Sequence, residues 1–261
     1  MTCLTTTRVM TAVVTIPVFL AVIYFGGVYL RIALAVLVLM GLIEFSKLYR
    51  QQVFWDYLAA AGLSLLYLAY NGLYSSFLWA WFVLQLIYLL TRATFTTHRP
   101  LSHMWHMVAV FYVAGLFSFL WTINSEYGFV WTLFGLAVTW ATDTGAYFTG
   151  LSFGRTKLAP EISPHKTWEG AAGGLLAAAA ASAVFSLYLE LPTIKLLVLG
   201  ICLSAAGQVG DLVESAIKRE RAVKDSGKIL PGHGGILDRF DSLLFVIPLL
   251  YLSLKYLHIL S

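Results

Sequence analysis

The chain has 261 residues, of which 59% are hydrophobic and only 11% charged. Soluble domains carry about 25% charged residues, so this balance excludes an ordinary globular enzyme and belongs to a chain dissolved in lipid. The formal net charge of +4 does not mark a nucleic-acid binder, because the bases form no solvated arm or stripe and follow membrane topology instead.

A spanning helix needs roughly 20 mostly apolar residues. Nine such stretches follow in order, at 9–25, 29–47, 54–70, 73–91, 104–122, 129–150, 169–189, 193–214 and 243–260. The first is long for the apolar part of a secretion signal, and no small-x-small cleavage site follows it, so it reads as a retained span. Polar breaks at Gly26-Gly27 and Leu48–Gln52 set off the next spans, and Asn71-Gly72 reads as a tight turn between spans three and four. Nine spans put the termini on opposite faces. Of the 17 Lys and Arg residues, all but Arg31, Lys195 and Lys255 then fall on the side of the N-terminus. That bias predicts a cell-membrane protein with a cytoplasmic N-terminus and Ser261 on the opposite face. The chain reads as one membrane domain, 1–261, with N-terminal helices over 1–128 and a second half, 129–261, that holds the polar chemistry. Cys3 and Cys202 are far apart and read as free thiols.

Charges within spans are costly and mark function. Span six carries Thr139, Thr142, Asp143, Tyr147 and Gly150, a spacing that makes one polar stripe on an apolar helix. Span eight ends with Ser204, Gln208, Asp211, Ser215 and Lys218 about a turn apart, with Glu214 on the next row. Span seven differs: Gly170, Gly173, Gly174 and the run Ala177–Ala181 make a small-residue face suited to close helix packing rather than chemistry. His98, His103 and His106 fit no motif and read as interfacial packing. Two loops on the cytoplasmic side complete the pattern. One runs from Gly150 through Arg155 and Lys157 to Lys166, Thr167 and Glu169; the other from Lys218 through Lys224 and the Gly234-Gly235 turn to Asp238, Arg239 and Asp241. A Gly-rich turn frees backbone N–H groups for phosphate oxygens, Lys and Arg neutralise charge, and several carboxylates beside them suit a hard cation. Together they read as a polyphosphate site.

The second loop resembles the signature of the phosphatidate cytidylyltransferases, or CDP-diacylglycerol synthases, in their compact bacterial form. The resemblance rests on Ser215-Ala-Ile-Lys218-Arg219, Lys224-Asp225-Ser-Gly227, and Leu230-Pro231-Gly-His233-Gly234-Gly235-Ile236-Leu-Asp238-Arg239-Phe-Asp241. A second stretch is similar to the same family: Asp143-x-x-Ala146-Tyr147-x-x-Gly150, Phe153-Gly154-Arg155, and Ser163-Pro164-x-Lys166-Thr167-x-Glu169-Gly170. The resemblance is close over 139–242 and rests on hydropathy alone in the N-terminal half.

It implies transfer of a cytidylyl group from CTP to phosphatidic acid, giving CDP-diacylglycerol and pyrophosphate for phospholipid biosynthesis, with Mg²⁺, one ion or two. Asp211 and Asp238 are the first expected metal ligands, with Asp241 and Asp143 next. Lys218, Arg219, Lys224 and Arg239 are expected on the triphosphate and the phosphatidate head group, with Asp225 and His233 beside them. Tyr147, Ser163, Lys166, Thr167, Ser215, Gly234 and Gly235 are expected to line the substrates. Membrane lipid is the surrounding partner, and span seven's small face suggests a homodimer. A transporter would use the acidic stripes but leaves the Gly-Gly turn unexplained. A CTP-dependent lipid kinase would release CDP instead of pyrophosphate, and a purely structural subunit leaves the charged stripes unexplained.

Overall fold

The computed structural model describes residues 2–48, 53–71, 74–97, 100–223, 225–227 and 234–256, and of residues 2–12, 74–79, 100 and 102 only the backbone. Lys224, His233, Gly72, His98 and the bases Arg50, Arg99 and Lys228 lie outside the described residues.

Among the described residues the chain is all-α apart from one short ribbon. Helices α1 (Thr2–Phe25), α2 (Gly27–Leu48), α3 (Trp55–Tyr70) and α4 (Tyr74–Thr97) come first. Helix α5 (Trp105–Val110) passes through a π turn, Phe111–Gly115, into α6 (Leu116–Phe153). Strands β1 (Lys157–Ala159) and β2 (Ser163–Thr167) precede α7 (Trp168–Leu189), α8 (Thr193–Glu220) and α9 (Leu237–Tyr256). Four stretches among the described residues are long and apolar enough to cross a bilayer: Gly27–Leu48, Trp105–Phe153, Trp168–Leu189 and Thr193–Glu220. The second has 49 residues, which at about 1.5 Å per residue exceeds twice the roughly 30 Å of a hydrocarbon core. It is interrupted at Gly128, whose φ of +84° is a left-handed conformation that a Cβ would disfavour. The outward faces are apolar too, as lipid requires: on α7, Leu176 is 73% exposed and Leu187 78%. This is a multi-pass membrane protein.

The chain divides into two compact units, residues 1–125 with 226–237, and residues 126–225 with 238–261. In the first, α2, α3 and α5 pack around Leu34, Val38, Phe45, Tyr57, Leu65 and Val113, all buried. His106 is buried among them, with Nδ1 against the His103 carbonyl at 2.9 Å and Nε2 accepting the Phe54 N–H at 3.1 Å. Its ring stacks on Phe54 and Trp105. Both nitrogens are spent on the backbone, so this histidine packs, as expected.

In the second unit, α6, α7 and α8 meet through small residues. A Cβ on Gly145 would lie 2.5 Å from the Ala177 Cβ and 2.7 Å from the Gly173 carbonyl oxygen. One on Gly170 would lie 2.9 Å from the Ala146 oxygen, and one on Gly174 3.0 Å from the Thr142 oxygen. The small-residue face of α7 is therefore occupied by α6 of the same chain, because backbones at this distance leave no room for side chains.

One expectation needs correcting. The segment between spans six and seven, read as loop, contains an antiparallel ribbon in which Lys157 faces Thr167 and Ala159 faces Ser163. Periodicity is invisible in strands of three and five residues. The pairing satisfies backbone groups that open loop would have to give to water.

Candidate functional site

The second unit gathers the polar residues of both motif stretches. Helix α6 ends at Phe153, and α7 starts on Thr167, whose buried hydroxyl accepts the Gly170 N–H at 3.1 Å as an N-cap. The Glu169 carboxylate accepts the N–H groups of Arg155 and Thr156 at 3.1 Å each. These two bonds close the ribbon onto the start of α7 and aim β2 so that Lys166 reaches α8. There its Nζ lies 2.6 Å from Asp211 Oδ2. The pair is open, with the side chains 25% and 33% exposed. Ser215, one turn on, donates its hydroxyl to Asp211 Oδ1 at 3.4 Å. Asp143 of α6 is exposed and within electrostatic reach of Asp211, Lys166 and Arg239.

A second group sits deeper. Lys218 Nζ stands between Glu214, one turn back on α8, and Asp238 Oδ1, at 2.7 Å on the first turn of α9. The side chains of Glu214, Lys218 and Asp238 are only 4%, 13% and 9% exposed. Asp241, one turn further along α9 and before its apolar run, faces both groups. Burial pushes its carboxyl above the usual range, the charges of Asp211 and Asp143 push it further, and the Ser242 N–H at 2.7 Å opposes the rise.

The structure thus brings together Asp143, Lys166, Asp211, Glu214, Lys218, Asp238, Arg239 and Asp241. It divides the two first-expected ligands, pairing Asp211 with Lys166 and Asp238 with Lys218. Other expected residues make structural contacts. Arg219 donates to the Ile162 carbonyl at 3.1 Å and to the Val223 carbonyl at 3.3 Å, latching the ribbon to the end of α8. Thr167 is a helix cap, and Ser163 sits in the ribbon pairing. The stripe on α6 also splits. Thr139 and Thr142 are buried and bond to Gly135 and Val138 carbonyls, Thr142 also to Ser204 at 2.8 Å, whereas Tyr147 points outward. Asp225 is exposed. Gly234 and Gly235 belong to the first unit, Gly234 with φ of +83°. Sequence reading left Glu169 without a role and passed over Glu44, a buried acid in α2. The rule applied to Asp143 and Asp211, an acid within an apolar stretch, would have found Glu44 as well.

Comparison with known proteins shows the family. Residues 6–257 match the model of the Cytidylyltransferase family. The chain belongs to that family. A phosphatidate cytidylyltransferase of Staphylococcus saprophyticus is 38% identical over 95% of this chain and 98% of its own length. One of Staphylococcus aureus (strain COL) is 36% identical over the same shares. A phosphatidate cytidylyltransferase of Bacillus subtilis is 52% identical over 56% of each chain.

Proposed function

We propose that this acid–base cluster is where the chain transfers the cytidylyl group of CTP to phosphatidic acid, giving CDP-diacylglycerol and pyrophosphate. The observation that carries the assignment is the meeting of the two motif stretches: Lys166 from the ribbon on Asp211 of α8, with Asp143 of α6 beside them. The reaction class comes from the family and from relatives of that name that align over 98% of their length.

In this reaction a phosphatidate oxygen bonds to the α-phosphorus of CTP and the bond to the β-phosphate breaks. The attacking phosphate monoester has its second pKa near 6, so it is largely ionised at neutral pH and needs little help from a base. The barrier is electrostatic, since two anions must meet and a third must leave. Lys166 and Arg239 are the bases placed to draw phosphate oxygens toward the open end of the cluster. Lys218 is already neutralised by two carboxylates and would act by holding Asp238 in place.

A divalent cation fits the donor set. Among the described residues the cluster holds the carboxyl groups of Asp143, Asp211, Glu214, Asp238 and Asp241 beside the bases Lys166, Lys218 and Arg239. Among the described residues no three His, Cys, Asp or Glu side chains form a ready metal cage. Mg²⁺ takes one or two carboxylates and completes its shell with phosphate oxygens and water. Asp211 and Asp143 are the residues that would hold it, and it would supply positive charge to the phosphates.

The same reading puts the cluster at the cytoplasmic edge of a nine-span bundle, with the N-terminus inside, supported by the skew of the bases toward that side. Purified protein with CTP labelled on its α-phosphate and phosphatidic acid should yield labelled lipid and pyrophosphate; release of CDP would instead indicate a kinase. Reporter fusions at Lys166 and Lys228 should both read cytoplasmic, and opposite readings would break the topology.

A further inference from the structure

Glu44 lies in α2, where the span from 29 to 47 is otherwise almost wholly apolar, and it is 0% exposed. Its Oε2 accepts the N–H of Leu237 at 3.0 Å and the hydroxyl of Ser226 at 3.3 Å, across 193 and 182 residues of chain. Two glycines of the signature close over the same carboxylate. A Cβ on Gly227 would lie 2.5 Å from Glu44 Oε1, 2.8 Å from Cδ and 2.9 Å from Cγ. One on Gly235 would lie 2.6 Å from Oε2. All these residues belong to the first compact unit.

A carboxylate buried among apolar helices is costly and persists where it has specific partners. Here the partners are Ser226 and Leu237. Leu237 is also the first residue of α9. Its N–H is one of the four that a helix start leaves without an intrahelical partner, and an anion there is favoured by the helix dipole. The first turn that follows carries Asp238, Arg239 and Asp241. A Cβ at 227 or 235 would force this buried, hydrogen-bonded carboxylate to shift.

We infer that Glu44 is a positioning residue for the cytidylyl transfer, a buried carboxylate that ties Ser226 to Leu237 and caps the start of α9. The inference rests on the activity proposed above. It gives Gly227 and Gly235, two glycines of the signature, a role that needs no contact with phosphate.

The test uses full-length protein in detergent with Glu44→Gln, Glu44→Ala, Gly227→Ala and the double variant Glu44→Asp/Gly227→Ala. Hydrogen exchange of a peptide spanning Gly234–Phe240 reads the clamp without reference to turnover. In Glu44→Ala the Leu237 amide should exchange at least about tenfold faster, as expected for loss of a hydrogen bond to a charged acceptor. Glu44→Gln keeps the shape and one acceptor oxygen; it should retain its Tm while kcat per folded molecule falls about tenfold to a hundredfold. Gly227→Ala should be impaired, and Glu44→Asp should restore part of its turnover by withdrawing the carboxylate one methylene. Unchanged exchange at Leu237, wild-type kcat and KM in Glu44→Gln, or full activity in Gly227→Ala would each overturn the clamp. If Glu44→Ala does not fold, the Gln and glycine variants decide. A wild-type protein that makes no CDP-diacylglycerol would sink the activity reading alone, since exchange and Tm still report on Glu44.

Discussion

Lys218 separates two accounts of the cluster most sharply. As a phosphate ligand it would be lost with little effect on folding. In the structure it stands between two carboxylates, with its own side chain 13% exposed and theirs 4% and 9%. At 2.7 Å from Asp238 the gross attraction is about 6 kcal/mol at an effective dielectric of 20, before desolvation. Breaking such a buried pair by removing one partner costs about 3–5 kcal/mol, because the remaining charges stay buried without compensation. Lys218→Met should therefore lower the Tm of the detergent-solubilised protein by roughly 6–20 °C, at about 2–4 °C per kcal/mol for a chain of this size. Adding Glu214→Gln should recover part of the loss, since it removes one of the stranded charges and the two sites are coupled. Thermal unfolding followed by tryptophan fluorescence, beside turnover of labelled CTP, measures both quantities. A Lys218→Met protein with wild-type Tm and abolished turnover would refute the reasoning and return Lys218 to the substrate.

Asp143→Asn and Asp211→Asn should each reduce turnover by more than about a hundredfold and raise the Mg²⁺ concentration needed for what remains. The double variant should cost far less than the product of the singles if they act as a unit, and independent losses with an unchanged Mg²⁺ requirement would exclude a shared ion. Thr167→Val should cost about 0.5–2 kcal/mol as a lost N-cap, seen as a lower Tm; lost turnover at unchanged Tm would mean that Thr167 touches substrate. Gly145→Leu should lower the Tm without any change in KM for CTP in the folded fraction, because overpacking against Ala177 and Gly173 costs about 1–3 kcal/mol or more.

Much of the architecture was legible in the chain itself. Hydropathy is a local property, and the lipid solvent forces each apolar stretch of sufficient length to satisfy its own backbone as a helix. The helices accordingly stand where the apolar runs are, and the small face of span seven packs as its composition requires. Acids inside apolar stretches pointed to Asp143 and Asp211 for an equally local reason: such charges are too costly to keep without use. Other features needed the tertiary structure. The ribbon that aims Lys166 at Asp211 is too short to leave a period. Thr142 and Asp143 are neighbours in sequence, yet one turns to Ser204 and the other stands beside Asp211 and Lys166, because only packing decides what each side of a helix meets. The partners of Lys218, and the hold of Glu44 on Leu237 across 193 residues, are pairings between distant segments. Composition determines that such charges must find partners; only the folded chain decides which ones they meet.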